Sequence, residues 1–161
     1  MQRRSFLKAA GAAGAAAALA GCIGSVSGSA DYDVAMRSNA FVPADGEAVT
    51  DFSDAPDYVP TDVPTVEVAV GETVTWLNTG TRYHTVTGAS AGMPESADYF
   101  ASGGFENEKA ALDSFEKYVG GGGAIAPSET YTHVFDTSGW YHYYCIPHLP
   151  AGMVGNVKVI E

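Results

Sequence analysis

GWYHYYCIPHLPAGMVGNVKV, residues 139–159, carries two alternating stretches on either side of a short loop. In the first, Tyr141, Tyr143 and Cys145 fall on one face and Trp140, His142 and Tyr144 on the other, the period of a β-strand. The second, MVGNVKVI (153–160), resumes the alternation. The stretch therefore predicts two strands, the first ending in Cys145 and the second beginning at or near Met153. The loop between them holds Cys145, His148 and Met153 with the spacing C-x2-H-x4-M, so three side chains can surround one point. His142 and Tyr144, opposite to Cys145, are expected to face outward, with His142 in solvent.

Upstream, short alternating stretches recur between turn residues. TVEVAV (65–70) places Val66, Val68 and Val70 on one face, ETVTWLN (72–78) does the same with Val74 and Trp76, and Gly71 separates the two as a turn. YHTVT (83–87) and ETYTHVF (129–135) continue the pattern, and YDVAM (32–36) reads as a first strand. Some seven or eight short strands, rich in β-branched and aromatic residues, predict an all-β antiparallel sandwich. One segment breaks the period. ENEKAALDSFEKYV (106–119) sets Ala111, Leu112, Phe115, Tyr118 and Val119 on a helical stripe, with Asp113 and Lys117 spaced to pair, and stops at Gly120–Gly123. It predicts a short surface helix within a long connection, its stripe packed on the sandwich.

Three donors in the Cys145 loop require a fourth from elsewhere. His84 is the best placed, because NTGTRYHTVT (78–87) carries it past a turn after the Trp76 strand. A thiolate, two imidazoles and a weak thioether form the donor set of a blue copper electron-transfer centre. Zinc would accept Cys145, His84 and His148 but gains little from a thioether, so Met153 directs the choice to copper. Met93 is a rival axial donor, if the long connection folds over the site. Pro147 has no N–H to offer the thiolate, and hydrogen bonds to that sulfur tune the potential. His133 shares a face with Tyr131 and Phe135 and reads as a structural histidine on the core side.

The chain has four histidines. Copper enzymes such as nitrite reductases and multicopper oxidases need a second centre built from several more, so the expectation is a carrier rather than an enzyme. A copper-delivery protein is the alternative, and a metal-free binding sandwich a third reading.

The N-terminus reads as an address. Arg3-Arg4-Ser5-Phe6-Leu7-Lys8 is a basic region with a twin-arginine pair, followed by a weakly apolar Ala/Gly stretch to Ala20. That stretch is too short for a membrane span, which needs roughly 20 apolar residues. Leu19-Ala20-Gly21-Cys22 has the form of a lipobox, predicting a signal peptide over 1–21, a lipidated Cys22 and a Gly/Ser tether over 22–30 ahead of one domain, 31–161. An ordinary signal peptide with an incidental Cys22, or a Cys22–Cys145 disulfide, are the plainer readings. The tether would reach on the order of 16 Å. Loss of Arg3, Arg4 and Lys8 leaves five basic residues against nineteen acidic ones, a formal charge of −14. Such a surface excludes nucleic acid, and its dispersed acids suit a protein living in concentrated salt, where the Debye length is about 3 Å.

The 139–159 stretch is similar, almost position by position, to the last strand, ligand loop and final strand of the plastocyanins. With the leader, lipobox and acidic composition, residues 31–161 look like a halocyanin, the lipid-anchored plastocyanin-like family of halophilic archaea. The resemblance implies a cupredoxin-like Greek-key fold. It makes His84, Cys145, His148 and Met153 the ligands of one type 1 copper ion. It also implies a monomeric electron carrier at the outer face of the membrane that docks transiently on membrane redox donors and acceptors. Leu149, Pro150 and Ala151 would form an apolar docking rim around His148, and Tyr144 a second electron route. Plastocyanins usually carry Asn after the first ligand histidine. Thr85 stands there instead, so its amide is expected to reach the Cys145 sulfur while the side-chain bridge between the ligand loops is shortened or lost. Residues 88–123 match plastocyanins poorly.

Overall fold

The computed structural model describes residues 31–44 and 48–161; the signal peptide, Cys22 and the tether lie outside them. Among the described residues, eight strands form two four-stranded sheets. One sheet has the order β2 (Ala40–Pro43), β1 (Val34–Arg37), β4 (Thr73–Asn78), β6 (Thr130–Val134). The other runs β3 (Thr65–Ala69), β8 (Val154–Ile160), β7 (Gly139–Tyr144), β5 (Thr87–Gly88). The β1–β4 and β3–β8 pairs are parallel and the rest antiparallel, so this is the expected sandwich with two parallel joins.

Alternation explains the core. Val74 and Trp76 of β4, Tyr141 and Tyr143 of β7, and Val157 and Val159 of β8 all turn inward with Phe41, Phe100 and Phe135. Trp76 meets Tyr143 edge-on at 5.4 Å and Tyr131 at 5.5 Å, geometries that aromatic quadrupoles favour. Cys145 and Met153 belong to the same buried cluster, so the far end of the core is the floor of the metal-donor loop.

The structure departs from expectation at three elements. β2 was not foreseen, because AFVP is short and weakly alternating. It exists as the return arm of a hairpin over Ser38-Asn39 that delivers Phe41 against Tyr143. The 83–87 strand shrinks to Thr87–Gly88, and His84 is held instead by an isolated bridge to Ile125. The helix α1 spans Glu108–Lys117, with the Asn107 side chain accepting the Ala110 amide as its N-cap. Asp113 pairs backward with Lys109 rather than forward with Lys117. The helix packs on the sandwich through part of its stripe: Ala111 is buried and Leu112 and Phe115 are about two-thirds covered, at 36% exposure each, while Tyr118 and Val119 stand clear of it.

Candidate metal centre

β7 ends at Tyr144, and the chain enters a 3-10 helix, Ile146–Ala151, that turns back into β8. Three backbone bonds close this loop on itself: Cys145 N–H to Met153 O, Met153 N–H to His148 O, and His148 N–H to Cys145 O. Gly152 takes the left-handed conformation at the exit, φ 81°, where a side chain would be strained. Met153 is thereby pinned beside Cys145, and both are fully buried.

His84 arrives from the other sheet. Its amide and carbonyl exchange hydrogen bonds with Ile125, and Asn78 secures the same loop by donating to Arg82 O at 2.7 Å and Ile125 O at 2.9 Å. The result is a compact donor set: His84, Cys145 and His148 offer ligand atoms all within 4.8 Å of one another. The Cys145 Sγ lies 3.7 Å from His84 Nδ1 and 3.3 Å from His148 Nδ1. An ion about 2.0–2.3 Å from nitrogen and sulfur donors requires them roughly 3.3–3.8 Å apart, and both sulfur–nitrogen pairs fall in that range, so the donor set suits one first-row metal ion.

Electrostatics points the same way. Burial, helped by the neighbouring His148 and Arg82, pushes the His84 imidazole down to about 4. Burial and Arg82 also lower His148. Both rings are thus neutral bases near pH 7, the form that binds metals. The sulfur-facing nitrogen of His84 is Nδ1, and the other, Nε2, is buried without a hydrogen-bond partner. Burial raises the Cys145 thiol, opposed by the amides of Thr85 and His148 and by the Thr85 side chain. A bound cation removes that proton outright.

Of the two expectations for Thr85, a shortened or a lost bridge, the structure shows the shortened one. Its amide does reach the sulfur, at 3.4 Å. Its hydroxyl accepts the Ile146 N–H at 2.8 Å and is itself held by the Thr87 hydroxyl at 3.1 Å. The two ligand loops are therefore tied side chain to backbone by a residue shorter than Asn.

The face opposite Cys145 is covered. Tyr144, expected to point outward, is only 7% exposed because α1 lies over it and Glu108 Oε1 accepts its hydroxyl at 2.7 Å. His142 is half-buried rather than in solvent, with Nδ1 2.9 Å from Asn156 Oδ1. Gly92 packs so closely on it that an added Cβ would lie 2.7 Å from the His142 Cβ. His133 is half-buried against Phe100 and Phe135, on the core side as expected. Asn78 and Thr87 went unremarked in the sequence. An Asn closing a strand before a turn was their only signal.

A family model described as copper binding proteins, plastocyanin/azurin family, matches residues 58–160. The chain belongs to that family. It is similar to the plastocyanin of Scenedesmus fuscus, 35% identical over 94 residues, which span 58% of this chain and 80% of that one. It also resembles the chloroplastic plastocyanins of Chlamydomonas reinhardtii, 30% identical over 137 residues (85% and 81% of the two chains), and Pisum sativum, 33% over 127 residues (78% and 67%). Its cofactor is copper in a type 1 site, and its general role is that of a blue copper electron-transfer protein. A second family model, of twin-arginine translocation pathway signal sequences, matches residues 1–20. Export by that route follows.

Proposed function

We propose that this chain is a lipid-anchored one-electron carrier of the halocyanin type, not an enzyme. His84, Cys145 and His148 are its copper ligands, with the Met153 thioether as a weak fourth donor. Bound copper supplies the Cu(I)/Cu(II) couple. The observation that carries the reading is the three-donor cluster, gathered within 4.8 Å and tied across both loops.

The protein's own part is to keep those positions fixed. The closed Cys145–Met153 loop and the Thr85 bridge hold the donors alike in both oxidation states, so little reorganisation accompanies each transfer. His148 is half-buried, between the fully buried Cys145 and exposed Leu149, Pro150 and Ala151. Its imidazole is thus the short exit, and the apolar residues beyond it form a rim for transient docking. With an acidic surface screened by salt, such docking relies on apolar contact.

Cys22 is the proposed lipid attachment point, and the tether keeps the domain, a monomer, within reach of membrane redox donors and acceptors at the outer face. A copper-delivery role is disfavoured by the depth of His84 and Cys145; fast loss of copper to a chelator would restore it.

Leu149→Asp tests the reading. It should slow reduction by membranes of the source cell while leaving the visible spectrum and the voltammetric wave intact. An unaltered rate would remove the rim from the account, and the absence of a reversible wave in the unsubstituted protein would remove electron transfer itself.

A further inference from the structure

The exposed part of the α1 stripe has a place in the molecule that the carrier role leaves unexplained. Phe115 and Val119 do not face open surface alone. They form the α1 wall of a groove of about 570 Å³ that Tyr83, Pro147 and His148 also line. The helix is fastened so that this wall stays open. Glu108 at its start accepts from Tyr144 and from the Ser90 amide, and Ser114 near its end accepts the Gly122 amide at 3.1 Å. A Cβ at Gly122 would strike both Phe115 and Ile146, the residue after Cys145, so the turn that follows the helix is wedged between α1 and the metal-donor loop.

Val119 is fully exposed and Tyr83 61% exposed, in a chain with nineteen acidic residues to eight basic ones. Large apolar side chains gathered beside the exit imidazole of so acidic a protein mark an interaction surface. Arg82 is the one charged residue lining the groove. With the wider surface screened, only a charge brought to contact distance in the groove meets this cation, and there a carboxylate is favoured over an ammonium group.

We infer that the α1 wall, Tyr83 and Arg82 form a docking groove for a partner redox protein that inserts an apolar knob flanked by a single carboxylate. The inference rests on the carrier reading and adds the partner's local chemistry to it. The segment 88–123, on this account, converts a rim around His148 into a slot with two walls and one polar contact.

The probe is 2-naphthoate, an apolar double ring bearing one carboxylate, titrated into the full copper(I)-loaded domain and followed by amide chemical shifts. Saturable shifts are expected at Tyr83, Phe115, Val119 and Ala124. The cationic analogue 2-naphthylmethylamine should bind about threefold more weakly, a difference that Arg82→Gln abolishes. Val119→Asp should weaken naphthoate binding at least about tenfold, with the visible spectrum of the oxidised protein unchanged. Shifts located elsewhere, or equal binding of acid and amine by the unsubstituted protein, would overturn the groove.

Two further results would assign it to another occupant and so overturn it. One is concentration-dependent self-association abolished by Val119→Asp, meaning a second copy. The other is groove shifts on deleting residues 1–30 with no probe present, meaning the chain's own N-terminal segment. A protein that fails to turn blue fails the carrier reading instead; a blue protein that ignores the probe fails only this one.

Discussion

The two segments that flank the metal donors are held in opposite ways. Around Cys145 and His84 the backbone is tied at many points. The backbone of the 145–153 loop closes on itself, Thr85 bridges to Ile146, and Asn78 and Ile125 clamp the His84 loop. At α1 the fastening is confined to Glu108, Ala111, Ser114 and the glycines after the helix, while the end of its apolar stripe lies open. Both segments belong to one sandwich, yet one is built for constancy and the other for contact. An electron carrier needs both: fixed ligands lower the cost of changing oxidation state, and an open surface permits brief association.

The contrast can be broken at its strongest point by Gly123→Ala. Gly123 sits at φ 76° against the Ser102 backbone, leaving no room for a side chain. The substitution should cost about 3 kcal/mol or more and loosen the neighbouring Ile125–His84 bridge. Denaturant unfolding with no loss would show that the clamp is dispensable.

Thr85→Ala comes next. It strips Ile146 N–H of its partner, which should cost about 1–3 kcal/mol and hasten copper loss to a chelator; Thr85→Ser, which keeps the hydroxyl, should restore both. Identical behaviour of the Ala and Ser variants would deny the bridge its role.

Acid acts on the same region in the metal-free protein. His84 has a folded pKa of about 4, below its ordinary 6.5, so the unfolded chain binds the proton more readily. Stability is fully present above about 6.5 and declines as pH falls toward about 4, with His148 and His133 lowered in the same direction. A thermal midpoint that stays flat over that window would contradict the burial of these rings. The smallest effect belongs to the open region: Val119→Ser at the fully exposed end of the stripe should change stability by less than about 0.5 kcal/mol. A loss of several times that would mean this end is packed after all.

Much of this was legible in the sequence because alternation and spacing are local signals. β4, β7 and β8 fall where Val74, Trp76, Tyr141, Tyr143 and Val157 place them, and the C-x2-H-x4-M loop brings Cys145, His148 and Met153 to one end of the core. What was not legible depends on long-range contact. A helical stripe defines a face but not how much of it is covered, so α1 packs through Ala111 as expected while Tyr118 and Val119, at the end of the stripe, stay open. Period two says that Tyr144 and His142 oppose Cys145. It cannot say that α1 and Gly92 lie over them. β2 escaped because four residues carry too short a pattern, and spacing alone does not settle whether Thr85 bridges the loops, because its partner, Ile146, is sixty-one positions away.

The central claim is that Cys145 and the two imidazoles, 3.3 and 3.7 Å from its sulfur, form one copper site. Titration of the metal-free protein with Cu(II), followed by visible absorption, tests it most directly. The account predicts an intense blue band that saturates at a single equivalent and is abolished in Cys145→Ser. A colourless complex of the unsubstituted protein, or a blue band that survives in Cys145→Ser, would contradict it.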